Sequence, residues 1–215
     1  MKKGNLRNLY GSVGILAVFV LWTAVIRTVD VAAVGPQGSA VGLAAFNSLV
    51  HKIVGVNMPL YLVTDWLGLV PPAFVMGFAI LGLIQWIKRK CLWRVDHSIL
   101  VLEGFYIVVM ATYLLFEAFA VNYRPVLING YLEASYPSST TMLVTCVMPT
   151  AVMQLNTRIR NNFLKRCVMF TITAFTVFMV IGRFISGVHW ITDIIGGVLL
   201  SGGLVTMYRF FSRLK

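Results

Sequence analysis

Residues 99–119 read ILVLEGFYIVVMATYLLFEAF, an apolar run with two carboxylates and no Lys or Arg. Because a helix rises about 1.5 Å per residue, a run of this length matches the roughly 30 Å hydrocarbon core of a bilayer. The whole chain shares this character, since 59% of its 215 residues are hydrophobic and only 12% are charged. This composition excludes an ordinary soluble domain and predicts an integral membrane protein.

Five further stretches are apolar enough to cross a bilayer as helices, although the fourth of the resulting six is short. The first follows Lys2 and Lys3 and superficially resembles a signal peptide, but its length favours a retained signal anchor. We therefore expect residues 1–215 to form a single all-α domain. The six predicted spans are Leu9–Arg27, Pro59–Ile87, Ile99–Phe119, Thr140–Leu155, Cys167–Ile185 and Trp190–Tyr208.

The positive charge follows the predicted topology. Fourteen of the eighteen Lys and Arg residues lie before the first span or after spans two, four and six. By the positive-inside rule this side is cytoplasmic, together with both termini. The net charge of +11 is thus explained without nucleic-acid binding, which we do not expect. The four remaining basic residues are Arg27, Lys52, Arg124 and Arg183.

A long connection over residues 28–58 follows the first span. After the turn-forming Gly35-Pro36-Gln37-Gly38, its apolar residues recur with helical spacing at Leu43, Phe46, Leu49, Val50 and Ile53. We expect an extracytoplasmic helix lying along the membrane surface, where it could form a wall of a lipid entry route. The alternative is a plain loop.

Polar residues cluster at the outer ends of the later spans. Glu117 and Arg124-Pro125 follow span three, and Pro137-Ser138-Ser139-Thr140 opens span four. Arg183, His189 and Asp193 lie between spans five and six. Three separate stretches thus place polar groups at one membrane depth, where ionisable residues are usually functional.

These residues resemble the motifs of the superfamily of type 2 phosphatidic acid phosphatases and vanadium haloperoxidases. The family motifs are Lys-x6-Arg-Pro, Pro-Ser-Gly-His and Ser-Arg-x5-His-x3-Asp, and the resemblance covers roughly residues 60–210. The third motif is nearly complete in Arg183, His189 and Asp193, with Gly182 in place of Ser. The first has Glu117 in place of Lys, and the second has Thr140 in place of His.

The resemblance implies a phosphate site with a histidine nucleophile. His189 would attack phosphorus, and Asp193, four residues later, would hydrogen-bond the other ring nitrogen and fix the tautomer. Arg124 and Arg183 would bind the phosphate oxygens with their planar forks. At the start of span four, backbone N–H groups and the hydroxyls of Ser138, Ser139 and Thr140 would add an anion site. No metal and no cofactor are expected.

The two departures bear on the mechanism. A threonine hydroxyl is too weak an acid to replace the second-motif His, so Thr140 leaves the site without its usual proton donor. Glu117 is either a replacement acid or a charge partner for Arg124 or Arg183, and we favour the charge partner because two arginines are near.

The sequence therefore predicts a lipid phosphatase of the cell membrane with an extracytoplasmic site. Its substrate would be a phosphate or diphosphate lipid such as undecaprenyl diphosphate, phosphatidic acid or phosphatidylglycerophosphate. The alternatives are an altered relative that binds or transports phospholipid, a lipid phosphotransferase and, more weakly, a structural membrane subunit.

The predicted topology can be tested by cysteine labelling from outside. The reagent should reach Asn129→Cys, in an outer connection, and miss Asn161→Cys, in a cytoplasmic one. The opposite labelling pattern would reverse the orientation and move the site to the cytoplasmic face.

Overall fold

A computed structural model describes residues 3–214, and in this range the chain is all-α. Its two short 3-10 helices cover Pro36–Gly38 and Leu92–Arg94. The eight α-helices of the described range are α1 (Lys3–Thr28), α2 (Ala44–Val54), α3 (Met58–Leu67), α4 (Val70–Arg89), α5 (His97–Ala118), α6 (Ser139–Arg158), α7 (Asn162–Ile185) and α8 (Ile191–Phe211).

The expected all-α membrane architecture is confirmed. Five helical stretches within residues 3–214 are long and apolar enough to span a bilayer, namely α1, the α3–α4 stretch, α5, α7 and α8. The remaining long helix, α6, has 20 residues and is therefore about 30 Å long. It is more polar because it packs against α4, α5, α7 and α8 and buries much of its surface inside the protein. It corresponds to the fourth predicted span.

The second predicted span, Pro59–Ile87, is interrupted in the structure. Helix α3 ends at Leu67 and α4 begins at Val70, because Pro71 and Pro72 lack the N–H groups that would continue the helical hydrogen bonds. The break lets α3 pack against α7, while α4 packs against α5 and α6. The first part of the second predicted span thus packs against α7 as a separate helix.

The outer connection contains a helix, as expected for residues 28–58. Helix α2 buries Asn47, whose amide donates to the Thr192 hydroxyl at 3.0 Å. On its other side Phe46, Leu49 and Ile53 are exposed. An apolar outer face on a helix held to the protein by a polar residue is the arrangement that an interfacial helix needs. Its position at the membrane surface stays a prediction.

Helix α1 belongs to the helical bundle. It packs along α8, and the buried Ser12 hydroxyl donates to the Gly203 carbonyl of that helix at 2.9 Å. Nearer the outer end, the Trp22 indole donates to the Thr192 carbonyl at 3.2 Å. The first predicted span therefore supports the helix that carries Asp193.

The connection between α5 and α6 folds back on itself. Antiparallel β-bridges pair Tyr123 with Ala134 and Ile128 with Tyr131. The turn between them is Asn129-Gly130, where both residues have positive φ, of 50° and 82°. Asn-Gly is the favoured pair for such a two-residue hairpin turn. We call residues 122–135 the hairpin; it brings its two ends side by side.

The residues after the hairpin lie tightly against α8. A Cβ added to Gly196 would meet the Tyr136 ring at 2.5 Å, well inside van der Waals contact. That ring is buried and stacked on Phe19, with ring centroids 6.2 Å apart, so it has little freedom to move. Only glycine at this position allows the chain entering α6 to pack beside Asp193.

We expect Gly196→Ala to destabilise the protein by about 1–3 kcal/mol, as overpacking of a filled core does. Thermal unfolding of the purified protein in detergent would measure the change. Gly77→Ala is the matched control, because no atom outside its own helix lies within 4 Å of the added Cβ. Equal effects of the two substitutions would show that the close contact with Tyr136 does not matter.

Candidate active site

The third motif is placed by the end of α7, a short loop and the start of α8. Arg183 lies in the last turn of α7 and Asp193 in the first turn of α8, and Gly187 between them has a φ of +66°. A Cβ at Gly187 would lie 1.9 Å from the Gly55 carbonyl oxygen, so the loop needs glycine there. Arg183, His189 and Asp193 are 1%, 3% and 0% exposed, which buries the whole motif.

The two predicted arginines come together on one aromatic ring. The guanidinium carbon of Arg183 lies 5.0 Å from the ring centre of Tyr61, and that of Arg124 lies 5.9 Å from it. Both side chains are almost fully buried. Like charges repel, so this arrangement is favourable only when acceptors or anions compensate it, and the negative face of the Tyr61 ring supplies part of that compensation.

Helix α3 contributes two more contacts to Arg183. Its guanidinium lies 3.4 Å from the Thr64 hydroxyl and 3.4 Å from an Asp65 carboxylate oxygen. Tyr61, Thr64 and Asp65 were not predicted as site residues, because Pro59–Ile87 was predicted as one uninterrupted membrane span. The signal was present: Asp65 is an ionisable residue inside an apolar stretch, which by default indicates a functional position.

Arg183 also reaches the second motif. Its guanidinium donates to the Thr140 hydroxyl at 2.7 Å, the shortest of its side-chain contacts. The threonine that stands where the family has histidine is thus a direct neighbour of the third-motif arginine. The expectation that Thr140 and Arg183 belong to one site agrees with this geometry.

The start of α6 faces Asp193. Ser138 precedes the helix, its N–H donates to the Asp193 carbonyl at 3.1 Å, and its buried hydroxyl has no partner within residues 3–214. Ser139 and Thr140 lie in the first turn, where backbone N–H groups have no acceptor inside the helix. The start of α6 thus carries the backbone donors that the predicted anion site requires, and anion binding there stays a prediction.

The charge partner predicted for the arginines is a different residue. Arg124 Nε lies 3.1 Å from a carboxylate oxygen of Glu133, which the hairpin places directly opposite it. Glu117 is exposed at the end of α5 and forms no ion pair within residues 3–214. It borders a cavity of about 10 Å³ with Ser135 and Ser139 instead. The expected ion pair of Glu117 is therefore wrong, and Glu133 fills that role for Arg124.

The predicted direct hydrogen bond between His189 and Asp193 is also corrected. Ser135, at the end of the hairpin, lies between the two side chains. Its hydroxyl is 2.9 Å from His189 Nδ1 and donates to Asp193 Oδ2 at 2.5 Å. Asp193 further accepts from the Trp190 N–H at 3.0 Å and from the Asn122 amide at 3.4 Å. Asn122 and Ser135 are both missed by motif reasoning, although Asn129-Gly130 signals the hairpin that places them.

The environment keeps His189 uncharged. Burial, followed by the nearby positive charges of Arg124 and Arg183, lowers the pKa of His189 well below its usual range. The ring therefore remains neutral at physiological pH. A neutral imidazole with one nitrogen held by a hydrogen bond has the other nitrogen available to attack.

Several buried polar atoms of the site have no hydrogen-bond partner within residues 3–214. They are Arg124 Nη1, Arg183 Nε, Ser138 Oγ and His189 Nε2. Buried polar groups are almost always paired, and unpaired ones call for a specific explanation. Two of these four atoms are donors on two different guanidiniums, and they lie in one site with a neutral histidine nitrogen, which is the arrangement that a phosphate group would satisfy.

Comparisons with known proteins give a family and a fold. The sequence model of the PAP2 superfamily matches residues 96–215. A crystal structure of a transmembrane PAP2-type phosphatidylglycerolphosphate phosphatase from Bacillus subtilis has the same fold, with a TM-score of 0.60 and 19% sequence identity. The match covers 96% of this chain and 100% of the other. A comparison with curated proteins found no match.

Proposed function

The chain belongs to the PAP2 superfamily, and from this membership we propose that it is a membrane lipid phosphatase acting through a phosphohistidine on His189. The observation that carries the proposal is the set of unpaired, buried polar atoms on Arg124, Arg183 and His189. The substrate class is a phosphate or diphosphate lipid, such as undecaprenyl diphosphate, phosphatidic acid or phosphatidylglycerophosphate. The phosphatase activity of the Bacillus subtilis structural neighbour supports this class.

Substrate binding would use the two guanidiniums and the start of α6. Arg183 is held from three sides, by Tyr61, Thr64 and Thr140. Because this side chain is already fixed, its free Nε would bind phosphate with little further loss of side-chain entropy. Arg124 contributes Nη1, while its Nε faces Glu133. First-turn N–H groups of α6 would add donors, since a helix N-terminus attracts anions.

The chemistry would proceed in two steps. The electron pair on His189 Nε2 forms a bond to phosphorus while the bond from phosphorus to the lipid oxygen breaks, and that oxygen departs as an anion or takes a proton. Water then attacks phosphorus, the bond to Nε2 breaks, and its electron pair returns to the ring as inorganic phosphate leaves. In both steps the arginines stabilise the charge on the phosphoryl oxygens.

The leaving oxygen has no assigned proton donor. Thr140 replaces the second-motif histidine and is bonded to Arg183, and a hydroxyl is far too weak an acid near neutral pH. Glu117 is exposed at the end of α5, where it borders a small cavity next to Ser135. A diphosphate lipid needs little protonation because its leaving group is a stable phosphate. We therefore place diphosphate lipids ahead of monophosphate lipids as substrates.

The orientation is part of the proposal. The site lies where α5 and α7 end and α6 and α8 begin, whereas the basic stretches lie at the opposite ends of these helices. The positive-inside rule then puts both termini in the cytoplasm and the site on the extracytoplasmic side of the cell membrane. There the exposed apolar face of α2 would border the route by which lipid enters.

His189→Ala should abolish phosphate release from undecaprenyl diphosphate, phosphatidic acid and phosphatidylglycerophosphate, because the nucleophile is removed. Wild-type protein given lipid labelled in the transferred phosphoryl group should carry an acid-labile, base-stable phosphoryl group that the variant lacks. His97→Ala, at the opposite end of α5, is the matched control and should behave as wild type.

Near-normal turnover by His189→Ala would remove the phosphohistidine mechanism. Binding of these lipids by wild-type protein without phosphate release would favour the alternative of a lipid-binding or lipid-transporting relative. Release only in the presence of a second hydroxyl compound would favour a phosphotransferase.

Wild-type protein should hydrolyse undecaprenyl diphosphate faster than phosphatidic acid, and Thr140→His should raise the phosphatidic acid rate more than the diphosphate rate. Absence of a positioned acid costs on the order of 10²–10⁴ in rate for an alkoxide leaving group, which sets the size of the expected gain. Initial rates of phosphate release measure both. Glu117→Gln tests the remaining acid: a loss confined to monophosphate lipids would mean that this carboxyl, and not the nature of the leaving group, determines the preference.

A further inference from the structure

We infer that Ser135 is the residue that positions the nucleophile, holding His189 in the Nδ1–H tautomer by relaying the Asp193 carboxylate to the ring. This inference rests on the proposed function, because it assigns Ser135 a role in the reaction of His189. Ser135 lies outside the three motifs, and nothing in their spacing points to it.

The Ser135 hydroxyl has a single proton to donate. Its Oγ lies 2.5 Å from Asp193 Oδ2 and 2.9 Å from His189 Nδ1, so the hydroxyl can donate to only one of the two. Asp193 also accepts from the Trp190 N–H and the Asn122 amide, and the three donors together favour its anionic form. With Asp193 as the anion, a hydroxyl that pointed at His189 would leave two acceptor oxygens facing each other at 2.5 Å. The proton of Ser135 therefore lies toward Asp193.

The direction of the Ser135 hydroxyl determines the tautomer of the His189 ring. With its proton on the Asp193 side, Ser135 offers only lone pairs to His189, so Nδ1 must carry hydrogen and donate to it. A neutral imidazole with hydrogen on Nδ1 has its free electron pair on Nε2. That nitrogen is buried and without a partner within residues 3–214, so it is the atom available to attack phosphorus.

Ser135 is held in place independently of His189. It is 2% exposed, and its N–H donates to the Asn122 carbonyl at 2.9 Å across the hairpin. The next residue, Tyr136, packs against Gly196 of α8, and Ser138 N–H bonds to the Asp193 carbonyl at 3.1 Å. The backbone on both sides of Ser135 is thus fixed, which makes its hydroxyl a rigid bridge.

The relay also serves the intermediate. When Nε2 forms its bond to phosphorus, the ring becomes positively charged while Nδ1 keeps its hydrogen. Ser135 accepts that hydrogen bond and in turn donates to the Asp193 anion. The anion thus stabilises the charged ring through two hydrogen bonds, and no proton is transferred. Removing the hydroxyl should therefore affect the transition state more than substrate binding.

The tautomer can be measured directly by ¹⁵N NMR of protein labelled at histidine, with His189→Ala identifying the His189 signals. Wild-type His189 should show a protonated Nδ1 and an unprotonated Nε2 at neutral pH. In Ser135→Ala the Nε2–H form should appear and kcat should fall about 10²-fold, with little change in KM. Ser135→Thr keeps the hydroxyl and should restore both the tautomer and most of kcat.

Ser201→Ala is the matched control for the loss of a buried hydroxyl. Its Oγ donates to the Gly197 carbonyl at 2.7 Å on the same helix as Asp193, two turns further along, and it should leave tautomer and kcat unchanged. An Nε2–H tautomer at His189 in the wild type would overturn the inference even if no variant folds. So would wild-type tautomer and kcat in Ser135→Ala. Absence of phosphate release from every lipid would count against the proposed function and leave the tautomer result to stand by itself.

Discussion

Burial of the Arg183 guanidinium is the constraint on which the site depends. A charged side chain that is 1% exposed loses its hydration, and unless contacts within the protein replace it the folded state is destabilised by several kcal/mol. Arg183 recovers it from two other helices, through Tyr61, Thr64 and Asp65 of α3 and Thr140 of α6. The break between α3 and α4 follows from the same requirement, since a straight helix over Met58–Arg89 could not pack α3 on α7 and α4 on α5 and α6 at once.

The hairpin meets a second requirement, which is to satisfy the buried Asp193. Residues on the same face of an extended strand alternate, so the hairpin presents Asn122 and Arg124 from one strand opposite Ser135 and Glu133 from the other. One pair of side chains satisfies Asp193, and the other pairs the second arginine with a carboxylate. A single two-residue turn at Asn129-Gly130 thus organises both the anionic and the cationic side of the site.

The sequence was sufficient for the helices and for the residues of the third motif, and insufficient for what joins them. Apolar run length predicts spans well because an apolar helix has few alternatives in a bilayer, and the spacing of His189 and Asp193 places both at the start of α8. It could not show that Ser135 separates them, because that depends on how closely the chain before α6 approaches Gly196. It assigned Glu117 to the arginines by proximity in sequence, whereas pairing across the hairpin selects Glu133. Tyr61 and Asp65 lie in a stretch that was predicted as one membrane span, in which the charge of Asp65 was the available signal.

The charges of the site explain how its departures from the family motifs fit together. Within residues 3–214, Arg183 is paired only with Asp65, which is 53% exposed and 3.4 Å away, and Arg124 only with Glu133, which is 40% exposed. Ion pairs with one exposed partner are weakened by solvent, so the buried guanidiniums retain much of their attraction for an anion. Thr140 adds no charge of its own and uses its hydroxyl on Arg183, leaving an environment rich in donors and poor in acids. Such an environment stabilises negative charge on both sides of a breaking bond to phosphorus better than it protonates a leaving oxygen. It therefore suits a substrate whose leaving group is a lipid phosphate, because that group departs as a stable anion.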